Sequence, residues 1–236
     1  VALGRVDAVL LDSFGTLVSM EPPGPRLRAA LARAGVDVSE GRAAVAFRAE
    51  IAYYLEHHVE GRDADSLDAL RDRCADVLHE ALGVAGLDRA AARAAMLDAI
   101  RFTAFPDAAP ALAQLRARGL RLVVASNWDA SLPEVLRAAG LVELVDAAVP
   151  SAAVGAPKPA PALFKAALEA AGVEAARAVY VGDSPANDVA GAAAAGIRAV
   201  LLERGGERPD RSAADAHLRA APAARISTLR ELPRVI

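Results

Sequence analysis

Val9-Leu10-Leu11-Asp12-Ser13-Phe14-Gly15-Thr16-Leu17 is the stretch on which the reading of this chain turns. Val6, Val9, Leu10 and Leu11 make a nearly continuous apolar run, as expected of a strand buried on both faces of a parallel sheet. The run ends in an aspartate and a glycine turn, and open α/β sheets gather their ligands at the carboxyl ends of strands. Taken alone, Asp12 reads equally as a turn residue and as a catalytic carboxylate. The balance changes further along the chain. Val123-Val124-Ala125-Ser126-Asn127 again carries a strand into polar residues, Lys158 sits between Pro157 and Pro159, and Val179-Tyr180-Val181-Gly182-Asp183 leads into Ser184-Pro185-Ala186-Asn187-Asp188.

Those four stretches, in that order and approximate spacing, resemble the haloacid dehalogenase-like (HAD) hydrolase superfamily over nearly the whole chain. The resemblance implies a nucleophilic aspartate at Asp12, a hydroxyl residue at Ser126, a lysine at Lys158 and paired acids at Asp183 and Asp188. It also implies that a segment inserted directly after the first motif is a cap that closes over the active site, excludes water and selects substrate.

The rest of the chain is consistent with that frame. Its 236 residues suit one α/β domain with an insertion. Residues 20–104 read as all-helical: helices are expected from Arg26 to Ala34, from Ser39 towards His58, from Asp65 or Ser66 to Leu82, and from Asp88 to Phe102. Glu21-Pro22-Pro23-Gly24-Pro25 reads as a breaker before the first of them. Residues 1–19 and 105–236 carry strands alternating with helices, which predicts a Rossmann-like parallel sheet of about five strands. The first, with the loop bearing Asp12, occupies 5–17, and the others are placed at 120–125, 144–149, 178–181 and 197–202, with a small Ala-rich helix over Asn187–Ala195 and a last apolar segment at Arg225–Leu232 after an Arg- and Ala-rich stretch.

Composition narrows the function classes. A hydrophobic fraction of 54% excludes a disordered chain. Net charge is −3 with the basic residues scattered, which argues against nucleic acid as a partner. No apolar run is long enough to cross a bilayer, and Arg5 and Asp7 interrupt any signal-peptide pattern. The single cysteine, Cys74, makes no internal disulfide, so a cytoplasmic location is expected. The expected partner is a small-molecule substrate; a homodimer stays open. Cations are almost always arginine here, and the only lysines are Lys158 and Lys165. A lysine is a compact point charge that approaches a phosphoryl oxygen and a carboxylate together, where the arginine fork is planar and wider.

The chemistry follows from the residue types. Asp12 as nucleophile would form an aspartyl-phosphate, or an aspartyl ester on attack at carbon. Gly15 and Thr16 are expected to offer backbone N–H groups and a hydroxyl to phosphoryl oxygens. Asp183 and Asp188, spaced Asp-x4-Asp, would join Asp12 and the Phe14 carbonyl around a Mg²⁺. Ser126 would donate to a phosphoryl oxygen and Lys158 would neutralise the transferred group. Asn127 and Trp128 are further candidates for contact with substrate, although Trp128 reads equally as packing. His57, His58 and Tyr54 are candidates in the helical segment, with a solvated pair as the plainer reading of the two histidines.

One position departs from the family. Its commonest first motif is Asp-x-Asp-x-Thr, whose second aspartate protonates the leaving oxygen and later activates water. Phe14 stands there and does neither. General acid–base help is worth ~10²–10⁴-fold in rate. Three readings follow: a Mg²⁺-dependent phosphohydrolase for a good leaving group, a 2-haloacid dehalogenase, or a silent domain that keeps ligand or metal binding. The dehalogenases' first motif often reads Asp-x-Tyr-Gly-Thr, halide leaves without a proton, and they hold it with an arginine near the start of the cap, for which Arg26 and Arg28 are candidates. Retention of both metal acids favours the phosphohydrolase.

Overall fold

A computed structural model of the chain describes residues 3–205 and 220–236. It divides into two compact units, Val1–Ser19 with Ala104–Ile236, and Met20–Thr103. The Arg- and Ala-rich stretch 206–219 lies outside the described residues.

The first unit is built on a six-stranded sheet in the order β5-β4-β1-β6-β7-β8. Its strands are β1 (Ala8–Leu11), β4 (Arg121–Ser126), β5 (Ala147–Pro150), β6 (Ala178–Gly182), β7 (Arg198–Leu202) and β8 (Ala224–Ile226), and every pairing is parallel. The apolar runs explain the centre. All four residues of β1 and all five of β6 are buried, as strands covered on both faces must be. On one face, Ala8, Leu10, Val123, Ala125, Tyr180 and Leu201 pack with Leu163 and Phe164 of the helix α8 (Pro161–Ala171). The alternate residues Val9, Leu11, Val124 and Val181 are equally buried.

The sheet has one strand more than the sequence suggested. β8 is three residues long, Ala-Arg-Ile, and the start of the last apolar segment, expected only as apolar, pairs with Val200–Leu202. Only Ile226 of the three is buried, so an edge strand this short leaves almost no periodicity to read. The Ala-rich segment expected as one α-helix is instead a π-helix, Pro185–Ala190, followed by α9 (Gly191–Ala194). Its wide first turn follows from Ser184, whose carbonyl accepts from both Asp188 (2.9 Å) and Val189 (3.2 Å).

The second unit holds α1 (Pro23–Arg33), α2 (Glu40–His57), α3 (Ala64–Leu82) and α4 (Arg89–Ala99). Its core is Leu27, Leu31, Phe47, Leu70, Cys74, Leu78, Leu82 and Met96. Three boundaries differ from expectation. The proline cluster opens α1 at Pro23 rather than delaying it, because proline's missing N–H costs nothing in a first turn. α3 starts a residue early, at Ala64, because Asp63 and Ser66 cap it reciprocally. α4 stops at Ala99, and Phe102–Ala104 forms strand β3, paired with β2 (Val18–Met20) in a two-stranded sheet. Buried His58, whose Nδ1 lies 2.9 Å from the Leu55 carbonyl, corrects the reading of a solvated histidine pair. Arg26 is held by Glu21 (3.0 Å) and the Asp98 carbonyl (3.3 Å), and Arg28 is exposed. No helix of the described residues is long and apolar enough to cross a membrane.

Candidate active site

The parallel register brings the carboxyl ends of β1, β4 and β6 side by side, with Leu11 opposite Val124 and Val181. The residues that follow those strands therefore meet. Asp12 follows β1, Ser126 ends β4, and Asp183 follows β6. Lys158 reaches the same point from the loop before α8, and Asp188 from the π-helix.

Three donors converge on Asp12 Oδ1. The Ser126 hydroxyl donates at 2.7 Å, the Ser13 backbone N–H at 2.8 Å, and the Lys158 ammonium lies at 2.7 Å. Lys158 Nζ also donates to Asp188 Oδ1 at 2.7 Å and to the Tyr180 hydroxyl at 3.1 Å, and the Tyr180 hydroxyl donates to the Ala125 carbonyl at 2.7 Å. The second Asp188 oxygen accepts from the Ser184 N–H at 2.8 Å. Burial opposes the Lys158 charge, but Asp12 and Asp188 outweigh it and hold its pKa well above the ordinary lysine value. Asp188 moves the other way: burial and the Asp12 charge push it up, against the pull of Lys158.

Two glycines leave room for the acids. A Cβ on Gly15, whose φ is +78°, would lie 2.3 Å from Asp183 Oδ2, and one on Gly182 would lie 2.3 Å from Asp188 Oδ2. One carboxylate oxygen from each of Asp12, Asp183 and Asp188 falls within 4.8 Å of the others. Three carboxylates packed this closely beside one ammonium form a set of hard oxygen donors that fits Mg²⁺.

Several sequence candidates occupy different posts from those expected. The N–H groups of Gly15 and Thr16 are not offered outward: they close the turn on Val18 O (2.9 Å) and Ser13 O (3.2 Å). Gly15 instead makes space for Asp183. The Thr16 hydroxyl is buried and, like that of Ser13, takes no hydrogen bond from the described residues. Asn127 clamps the main chain of Lys158, accepting from its N–H at 2.6 Å and donating to its carbonyl at 3.2 Å. Trp128 is buried, its indole N–H on Ser131 Oγ at 3.3 Å. Phe14 is 49% exposed. Sequence reading missed Tyr180: an aromatic inside an apolar strand reads only as a good β-former.

Known proteins place this arrangement. The family model described as haloacid dehalogenase-like hydrolase matches residues 6–196. A phosphoserine phosphatase of Thermus thermophilus is 38% identical over 158 residues, 66% of this chain and 61% of that protein. A phosphoglycolate phosphatase of Rhodospirillum rubrum is 39% identical over 105 residues, 44% of this chain and 43% of that protein. The chain thus spans less than two thirds of either relative. Among solved structures, a 2-haloacid dehalogenase from Pseudomonas syringae is 28% identical with a TM-score of 0.65, covering 98% of both chains.

Proposed function

The chain belongs to the haloacid dehalogenase-like hydrolase family, and we propose that it is a phosphohydrolase acting on a small phosphorylated metabolite with a good leaving group. The observation that carries this is the convergence of Ser126, Ser13 N–H and Lys158 on Asp12 Oδ1, with Asp183 and Asp188 beside it. Three donors on one oxygen hold the carboxylate in a single orientation, and orientation is a large part of a nucleophile's advantage. In the proposed reaction an Asp12 oxygen bonds to phosphorus while the bond from phosphorus to the leaving oxygen breaks, that oxygen keeping the electron pair. Water then attacks the aspartyl-phosphate, its proton passing to solvent, and Asp12 is released as carboxylate with inorganic phosphate.

Asp12, Asp183, Asp188 and the Phe14 carbonyl would hold Mg²⁺, which would offset the repulsion between an anionic nucleophile and an anionic phosphate. Lys158 supplies fixed positive charge at the same point. Asn127 and Tyr180 position Lys158, and Ser126 positions Asp12. The Thr16 hydroxyl, buried without a partner, is the group proposed to meet a phosphoryl oxygen. The helical unit takes the part of the substrate-selecting cap. Phe14 supports the choice of leaving group: it offers no proton, so acetate or an aryl oxide, stable as anions, suit the site better than an alkoxide.

A second reading has one observation in its favour. Phe14 also suits halide departure, and the 28% identical structural neighbour is a 2-haloacid dehalogenase. The test is phosphate release from acetyl phosphate, p-nitrophenyl phosphate and alkyl phosphates, with and without Mg²⁺, beside halide release from 2-chloropropionate. Mg²⁺-dependent turnover of the first two, lost in Asp12→Asn, is the expected result. Metal-independent halide release would replace the phosphohydrolase with the dehalogenase.

A further inference from the structure

We propose that Arg204 is a positioning residue for the loop that carries Asp12, acting through the carbonyl of Thr16. Arg204 follows β7, far along the chain from that loop. Its guanidinium donates from Nη2 to Thr16 O at 2.8 Å and to Asp107 Oδ1 at 2.8 Å, and from Nη1 to Asp107 Oδ2 at 3.0 Å. It lies 3.8 Å from the centre of the Phe105 ring.

Asp107 is itself fixed from the other side. Its Oδ2 accepts from the Thr228 hydroxyl at 2.6 Å and the Leu229 N–H at 2.9 Å. Burial raises its pKa, but the hydrogen bonds from Arg204, Thr228 and Leu229 prevail and hold it below the ordinary aspartate value. The guanidinium is thus held in place by a second, ionised partner while Nη2, which also serves Asp107, reaches the loop.

From Thr16 the path to the nucleophile is short and fully hydrogen-bonded. The N–H groups of Thr16, Leu17 and Val18 all donate to the Ser13 carbonyl, at 3.2, 2.7 and 3.0 Å. The Ser13 N–H in turn donates to Asp12 Oδ1 at 2.8 Å. Next to the Thr16 carbonyl, that of Leu17 accepts from the Phe105 N–H at 2.9 Å. The turn is one tightly bonded piece, so a shift of its Thr16 end is passed to Ser13 and to the carboxylate orientation. The planar fork reaches both Asp107 oxygens and the Thr16 carbonyl from two nitrogens held in one plane; a lysine would have to meet all three from a single nitrogen on a flexible stem.

The link to turnover rests on the phosphohydrolase reading, so the test has one arm that needs no activity. Arg204→Ala, Arg204→Lys and Ile197→Ala are made in the full chain. Amide hydrogen exchange is followed at residues 13–18, and kcat and KM are measured with acetyl phosphate. Ile197→Ala removes a buried side chain at the amino end of β7, outside the bonds that join Thr228, Asp107, Arg204 and Thr16, so it matches a purely structural loss. Arg204→Ala is expected to speed exchange at residues 13–18 and to lower kcat by about 10²-fold with KM nearly unchanged, the scale of a displaced reacting group. Millimolar guanidinium is expected to restore part of that kcat. Arg204→Lys stays impaired in both readouts, and carries the test if the alanine variant does not fold. Ile197→Ala lowers Tm but leaves exchange at 13–18 and kcat at wild-type levels. Unchanged exchange at residues 13–18 in the Arg204 variants overturns the proposal, as does a kcat loss that Ile197→Ala reproduces at equal loss of Tm. If wild type turns over none of the probes, the phosphohydrolase reading fails and the exchange arm still decides the role of Arg204.

Discussion

The two units bury their acids beside different partners. In the α/β unit Asp12 and Asp188 are nearly inaccessible, and Lys158 lies 2.7 Å from both. In the helical unit Glu50 is as deeply buried on α2, with the Cys74 thiol as hydrogen-bond partner, and burial raises its pKa to about 7. Burial pushes both Asp188 and Glu50 up, but beside Asp188 the Lys158 ammonium pulls back against it, whereas no cation opposes the push on Glu50. One unit sets a buried cation against the cost of burying its acids, and the other leaves that cost unopposed by charge.

The largest effect should come from breaking the charged corner at its centre. Asp12→Asn keeps the shape and removes the nucleophilic charge, and loss of about 10⁴-fold or more in kcat with acetyl phosphate is expected. Retained turnover would mean the buried acid is structural in both units. Next, Lys158→Met leaves two carboxylates buried without their cation, and a loss of about 3–5 kcal/mol in urea unfolding is expected. A smaller loss would show that the acids were never held as a charged set. Phe14→Asp sharpens the contrast by adding an acid beside Asp12. It should raise kcat/KM for alkyl phosphates relative to acetyl phosphate by about 10²-fold, the low end of general-acid help.

The smallest expected effect lies in the helical unit. The folded pKa of Glu50 is above its unfolded value of 4.5, so unfolding releases a proton as pH rises between them. Stability contributed by the neutral acid is present below about pH 4.5 and lost as pH rises through about 7. The ceiling on that loss is on the order of 3 kcal/mol. Glu50→Gln should be close to wild type near pH 5 and more stable than wild type near pH 8, read from urea midpoints. Parallel pH profiles for the two proteins would show that burial does not raise the Glu50 pKa.

What the sequence disclosed, and what it withheld, follows the range of the forces involved. Strand runs such as Leu10-Leu11 and Val179-Tyr180-Val181 announce themselves because a strand buried on both faces must be apolar throughout. The acids at their ends are conspicuous by contrast. β8 was hidden because an edge strand of three residues, only Ile226 of it buried, owes its pairing to the neighbouring β7. The π-turn at Pro185–Ala190 was hidden because an Ala-rich segment has the propensity of an ordinary helix. The posts of Asn127, Tyr180, Asp107 and Arg204 are nonlocal: the partners of each are distant in sequence, and residue type alone does not disclose such pairings. The turn at Gly15 shows the same effect: the space its glycine leaves is taken by Asp183 from another strand end.

The central claim is that Asp12 bonds covalently to phosphorus, and trapping that bond tests it most directly. Wild-type protein is mixed with acetyl phosphate and Mg²⁺, quenched in acid, reduced with borohydride and mapped by peptide mass spectrometry. Reduction converts an aspartyl-phosphate to the corresponding alcohol, so the account predicts that modification at Asp12 alone, and its absence without substrate. Modification at another acid, or phosphate released in steady turnover with Asp12 never modified, would contradict it.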